Sequence, residues 1–189
     1  HVSRKARKRY HEIREGRHAI HIGYGKKLSA RRSRSSKNVS SLLKEVRSYL
    51  SGSRVARLAT VNEDGTAQVV PVVFANNSKY IYFVIDKKTK GERLRRIENI
   101  NRTGRATLLV DRYSEDWKKL SFVMMYTEAD ILGEGALNEK RRASHILKRK
   151  YGQYSMGGYF PNHASTATFV RLTPVKIARW SQILRSSVL

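Results

Sequence analysis

The stretch Arg54 to Ala75, RVARLATVNEDGTAQVVPVVFA, narrows the fold more than any other part of the chain. Apolar and polar residues alternate on both sides of Glu63-Asp64-Gly65-Thr66. A period of two sends successive side chains to opposite faces of an extended strand. Asp-Gly between two such runs is a hairpin signal. The turn NNSK then leads into a third apolar run, YIYFVI, so three antiparallel strands in succession are expected. RATLLVDRY reads as a fourth strand, LSFVMMYTEADILGEG as a long fifth and TATFVRLTPVKIARW as the last. Pro174 in the last strand cannot donate to a ladder and argues for an edge position or a bend.

Helical periodicity separates these runs. In NVSSLLKEVRSYLSGS, Leu42, Leu43, Val46, Tyr49 and Leu50 share one face, Ser40 or Ser41 can cap the start, and Gly52 ends it. Leu94, Ile97 and Ile100 predict a second helix from Gly91 to about Asn101, broken by NRTG. Residues Asn138 to about Tyr151 predict an amphipathic basic helix through Ala143, Ile146 and Leu147. Many short strands with few helices predict a mainly β fold, a closed antiparallel barrel with peripheral helices. The 189 residues suit one domain preceded by a tail.

The tail is set apart by charge. The chain carries a formal +24 with a pI near 10.7, a field that attracts polyanions. Residues 1–37 hold thirteen Lys and Arg against Glu12 and Glu15, so they contribute +11 of that total. They are expected to form a basic extension without regular structure, apart from a short helix around Lys5 to Glu15; residues 38–189 form the domain. A nucleic-acid-binding arm is one reading of residues 1–37, and a solvated extension is the other. His18 and His21 lack a further ligand nearby, so no metal is expected there. The chain has no cysteine, which excludes disulfides, thiolate zinc sites and cysteine nucleophiles. Neither a membrane span nor a secretory signal is visible, so no membrane partner and a cytoplasmic location are expected.

The corner DKKTKGERLRRIENI, Asp86 to Ile100, sets three lysines and a threonine where a strand gives way to a helix. Free N–H groups and a partial positive charge at a helix start bind anions, and Lys and Thr side chains add charge-assisted hydrogen bonds. The glycine spacing of a P-loop or a dinucleotide-binding turn is absent. The residues alone allow either a phosphate cradle or a solvated basic helix start.

Four segments carry a resemblance: RVARLATVNEDGTAQVVPVVFA, IYFVIDKKTKGERLRRIENINRTGRATLLVD, DRYSEDWKKL and KIARW. In their order and spacing, from Arg54 to about Trp180, the chain resembles the pyridoxamine 5'-phosphate oxidase-like split β-barrel family. Within that family it is most similar to the F420-dependent (deazaflavin) oxidoreductase branch. The resemblance implies an FMN-binding-like, antiparallel Greek-key-type split β-barrel. It also implies a homodimer with the cofactor in a groove between protomers, and hydride transfer between that cofactor and an unidentified conjugated small molecule. By the same resemblance Lys88, Thr89 and Lys90, with Lys87, hold the cofactor phosphate. Val69, Val70, Pro71 and Val72 lie along its ring, or are strand core. Arg179 and Trp180 reach the cofactor of the other protomer, or pack the interface.

The pyridoxamine phosphate oxidases proper carry an Arg in the second strand that QVVPVV lacks. This favours coenzyme F420, with FMN as the alternative. The acidic oligoglutamate tail of F420 suits a basic body, with Arg93, Arg95, Arg96, Arg102 and Arg105 either assisting or forming a solvated face. Tyr126, His145, Tyr159 and His163 are proton donors or structural residues, and no catalytic residue is assigned. Asp116 and Trp117 in DRYSEDW receive no chemical role.

Overall fold

A computed structural model describes residues 19–21, 44–85, 94–156, 164–165 and 167–181. Eight strands form one antiparallel sheet: β1 (Ala19–His21), β2 (Val55–Val61), β3 (Ala67–Val73), β4 (Ala75–Asn76), β5 (Ile81–Val84), β6 (Arg105–Arg112), β7 (Ser121–Ile131) and β8 (Phe169–Ser181). Their order across the sheet is β3-β2-β6-β7-β8-β5-β4, and β1 pairs with β8 beyond β5. Among the described residues three α-helices accompany them: α1 over 44–51, α2 (Arg95–Thr103) and α3 (Leu137–Lys150).

The predicted hairpin forms as β2 and β3, with Leu58 opposite Val70. Its turn is held by the Asp64 carboxylate, which accepts from the Thr66 N–H at 2.9 Å and the Thr66 hydroxyl at 2.6 Å. Those bonds hold the Asp64 carboxyl below its ordinary range. Gly65 takes φ 82°, a conformation that favours glycine.

The expectation of three successive paired strands fails at the next step. β5 does not pair with β3; it pairs with two residues of β4 and then with β8. The break lies at Phe74, whose side chain is fully buried. Its backbone N–H donates to the Tyr151 hydroxyl at 3.0 Å, and its carbonyl stands 2.8 Å from the same oxygen. A side chain thus replaces the ladder, and the chain turns a corner. Because β3 and β4 end the sheet yet are joined by this one residue, the sheet wraps round on itself. The result is a split barrel.

β8 explains Pro174. It is not an edge strand: it pairs with β7 along its length. On its other side, however, β5 pairs only as far as Leu172 and β1 starts at Lys176. The β7–β8 register also shifts between Tyr126–Lys176 and Thr127–Pro174, leaving Val175 as an extra residue. Pro174 falls in this bulge, where a missing N–H costs least. Three residues of the basic extension therefore take strand form as β1, opposite Lys176 to Ala178. The helix expected over Lys5 to Glu15 and the caps Ser40 and Ser41 lie outside the described residues.

Inward positions of β2, β6, β7 and β8 fill the barrel with Leu58, Leu108, Val110, Met125 and Leu172, closed by Ile100 of α2 and by Val46 and Leu50 of α1. A second core lies outside the barrel, where Ala143 and Leu147 of α3 pack on Tyr82, Val84 and Phe169. Each large side chain so buried contributes roughly 1.5–3 kcal/mol.

The two cores meet at Lys150. Its ammonium donates to the Leu50 carbonyl at 3.0 Å, at the end of α1, and sits 3.9 Å from the centre of the Phe74 ring. Burial, and then the charge of Arg54, pulls its pKa down from 10.5 to about 8. Between those values the unfolded chain holds a proton that the folded chain has released, so stability rises with pH across the window. Urea unfolding of the native chain is expected to show that rise from pH 8 to 10.5, and the Lys150→Met variant is expected to lose it.

Candidate functional site

The corner begins and ends in defined structure. Beyond β5, the Ile85 N–H bonds the Thr168 carbonyl at 2.9 Å. On the far side Leu94 is extended, at φ −103° and ψ 104°, and no side chain caps the first turn of α2. α2 ends as the sequence predicts: Gly104 adopts φ 63° and its N–H returns to the Ile100 carbonyl at 2.8 Å. Lys87, Lys88, Thr89 and Lys90 themselves lie outside the described residues.

β3 is the strand proposed to meet the ring. It ends the sheet, so among the described strands its outer edge is unpaired. Such an edge offers backbone N–H and C=O groups to a ligand. The four residues divide by face. Val69 and Pro71 point outward, with Val69 58% exposed. Val70 and Val72 point inward and pack against the barrel core. Beside them, the Gln68 side-chain oxygen is buried with no hydrogen-bond partner among the described residues. A buried acceptor left in this way costs about 1–3 kcal/mol. Gln68 shares the inward face with Val70 and Val72, so what β3 offers a planar ligand on its outer side is its unpaired backbone edge beside Val69 and Pro71.

Arg179 and Trp180 lie far from β3. Arg179 forms an ion pair with Glu45 of α1 at 2.5 Å. Trp180 stacks on Phe122 of β7, with ring centres 6.2 Å apart and planes 19° apart. Together with Tyr49, Arg112, Tyr113 and Lys119 these two rings line a groove of about 470 Å³. The Arg112 guanidinium lies 4.1 Å from the centre of the Tyr49 ring, and the Tyr49 hydroxyl donates to the Ser121 carbonyl at 3.0 Å. The groove therefore combines stacking surfaces with positive charge, a lining suited to a planar anion. Phe122, Tyr49 and Arg112 carried no sequence signal, because register across β7 and β8 and the packing of α1 bring them to Trp180.

Within one chain the two segments are separated by three strands. β2, β6 and β7 stand between β3 and β8, a separation of about 19 Å along the sheet at about 4.8 Å per strand. Both nevertheless look out from the same face. In register, Val69 neighbours Ala59, Thr107 and Tyr126, and Trp180 neighbours Phe122 on the same side. That face exposes Val55 (42%) and Val61 (48%) beside charged groups, among them the Arg57–Asp111 ion pair at 3.0 Å, with Arg57 directly opposite Pro71.

Other candidates are scattered. Tyr126 lies on this outer face with the Lys176 ammonium 5.6 Å from its ring centre. His145 is exposed on α3, while Tyr159, His163 and His18 lie outside the described residues. Asp116 serves the backbone, accepting from the Lys118 N–H at 3.1 Å to start a single helical turn (Trp117–Lys119). Trp117 is 72% exposed. Among the described residues no three His, Asp or Glu side chains converge to hold a metal, and no helix is long and apolar enough to cross a membrane.

Solved structures share this architecture. A FAD-binding protein from Mesorhizobium loti superposes with a TM-score of 0.54 at 20% identity, over 72% of this chain and 91% of its own. A conserved hypothetical protein from Mycobacterium tuberculosis gives 0.57 at 16% identity, over 84% and 91%. HutZ, the heme storage protein from Vibrio cholerae, gives 0.54 at 14% identity, over 69% and 88%. At these identities the likeness is one of fold. No curated protein matches the chain. A family model described as pyridoxamine 5'-phosphate oxidase matches residues 42–181, from α1 through the last residue of β8. With its split barrel and that match over most of its length, the chain belongs to the pyridoxamine 5'-phosphate oxidase family.

Proposed function

We propose that the protein is a homodimeric oxidoreductase that uses coenzyme F420 to reduce or oxidise a conjugated small molecule. The observation that carries this reading is the placement of β3 and the Trp180 groove on one outer face that exposes Val55, Val61 and Val69, four strand steps or about 19 Å apart along the sheet. A second copy docked on that face, related by a two-fold axis, sets the β3 edge of one chain against the β8 end of its partner. The ring then lies between Val69 and Pro71 on one side and the partner groove on the other. Val70 and Val72 serve the core, and only their backbone faces the ligand.

When bound, the deazaflavin ring supplies the hydride chemistry. The chain's own residues supply grip and orientation. Lys88, Thr89 and Lys90, with Lys87, hold the phosphate through charge-assisted hydrogen bonds. The unpaired backbone edge of β3 meets the polar rim of the ring, and the exposed valines of the outer face help to exclude water. The absence of an arginine from QVVPVV supports the deazaflavin over FMN.

Spectral titration of the purified chain with F420, and separately with FMN, tests the assignment. Saturable micromolar binding of F420, with FMN at least about tenfold weaker, is expected. Preferential uptake of FMN would keep the fold reading and replace the cofactor.

A further inference from the structure

We propose that the solvent face of α3 is a docking surface for the phosphate backbone of duplex DNA, separate from the cofactor site. α3 buries Lys140, Ala143, Ser144 and Leu147. Its exposed positions are Asn138, Arg141, Arg142, His145, Lys148 and Arg149, which recur at helical spacing on one face. That face carries four Arg or Lys and no carboxylate. The one acid of the helix, Glu139, is turned inward, accepting from the Tyr82 hydroxyl at 2.8 Å and pairing with Arg171 at 3.2 Å. Arg141, Arg142 and Arg149 form no ion pair with any described residue.

Folding does not ask for this arrangement. Lys148, Arg149 and Lys150 in the last turn suit the helix dipole. Arg141 and Arg142, in the second turn, do not, and the one acid within four residues of them, Glu139, is already engaged by Tyr82 and Arg171. The surface is better matched by an external polyanion. Arg141 and Arg142 stand two turns from Lys148 and Arg149, about 10.5 Å along the axis. That span covers about three phosphates of one DNA strand at about 3.4 Å each. The face exposes no large apolar side chain to enter a lipid surface, and no Phe, Tyr or Trp ring to form a stacking platform for single-stranded bases. Exposed Arg54, whose guanidinium bonds the Lys150 carbonyl at the end of the helix, extends the positive strip.

The test is fluorescence anisotropy of a labelled 30-base-pair duplex of arbitrary sequence, using the full chain and its Arg141→Ala/Arg142→Ala/Arg149→Ala variant across a salt series. The substitutions are exposed and relieve repulsion, so an unchanged or higher melting temperature is expected. Three lost phosphate contacts flatten the dependence of log Kd on log salt by about 2.7. The affinity gap between the two proteins is therefore expected to shrink about 40-fold from 50 to 200 mM salt. Equal slopes would overturn the proposal, leaving any DNA binding to residues elsewhere. Loss of binding to phosphatidylserine vesicles with duplex binding unchanged would overturn it in favour of a membrane surface.

Discussion

Replacing Lys88 and Lys90 together by glutamate is expected to weaken F420 uptake at least about 100-fold while leaving the melting temperature within a few degrees. Each lysine contributes a charged hydrogen bond worth roughly 1.5–3 kcal/mol. Two such bonds correspond to at least two decades in Kd, and the reversed charges add repulsion towards the phosphate. The effect is expected in binding rather than in folding, because one charged side chain replaces another and lysine seldom belongs to a buried core. Titration of the variant beside the native chain, each checked by thermal unfolding, measures both quantities. Uptake as tight as in the native chain would remove the phosphate role from this corner.

The second large effect lies at the seam of the barrel. Tyr151→Phe is expected to lower stability by about 3 kcal/mol, or roughly 10 °C in melting temperature for a chain of this size. The Tyr151 hydroxyl accepts from the Phe74 N–H at 3.0 Å and lies 2.7 Å from the Arg54 carbonyl and 2.8 Å from the Phe74 carbonyl. The Phe74 groups sit where β3 gives way to β4, and the Arg54 carbonyl lies just before the start of β2. Removing one oxygen orphans a buried N–H and at least one carbonyl, and each orphan costs about 1–3 kcal/mol. Burial also raises the phenol pKa, so the donor proton stays in place. Chemical denaturation of the variant measures the loss. A change below about 1 kcal/mol would mean that the corner is held by packing of Phe74 alone.

Local chemistry carried most of the fold. Asp64 and Gly65 announced the hairpin, and the spacing of Ala143, Ile146 and Leu147 announced α3. Gly104 stops α2 where NRTG said it would. What was not legible depends on residues distant in sequence. The corner at Phe74 needs Tyr151, 77 residues away, to replace a ladder. Pro174 is accommodated by a bulge against β7 and by a gap between β5 and β1 on the other edge of β8, neither of which local sequence shows. At the site, alternation in β3 separates Val69 and Pro71 from Val70 and Val72, but only burial shows which pair faces out. Trp180 was visible as a candidate; its stack with Phe122 and its groove with Tyr49 and Arg112 were not. The role of Arg179 also changes in emphasis. Its ion pair with Glu45 ties β8 to α1, so it shapes the groove from within the chain.

A crystal of the protein soaked with F420 tests the central claim most directly. One cofactor is expected per chain, with its phosphate at the corner of residues 86–93. Its ring is expected between the outer side of β3 and the Trp180 groove of the partner subunit. A cofactor held wholly within one chain, or a phosphate seated away from that corner, would contradict the account.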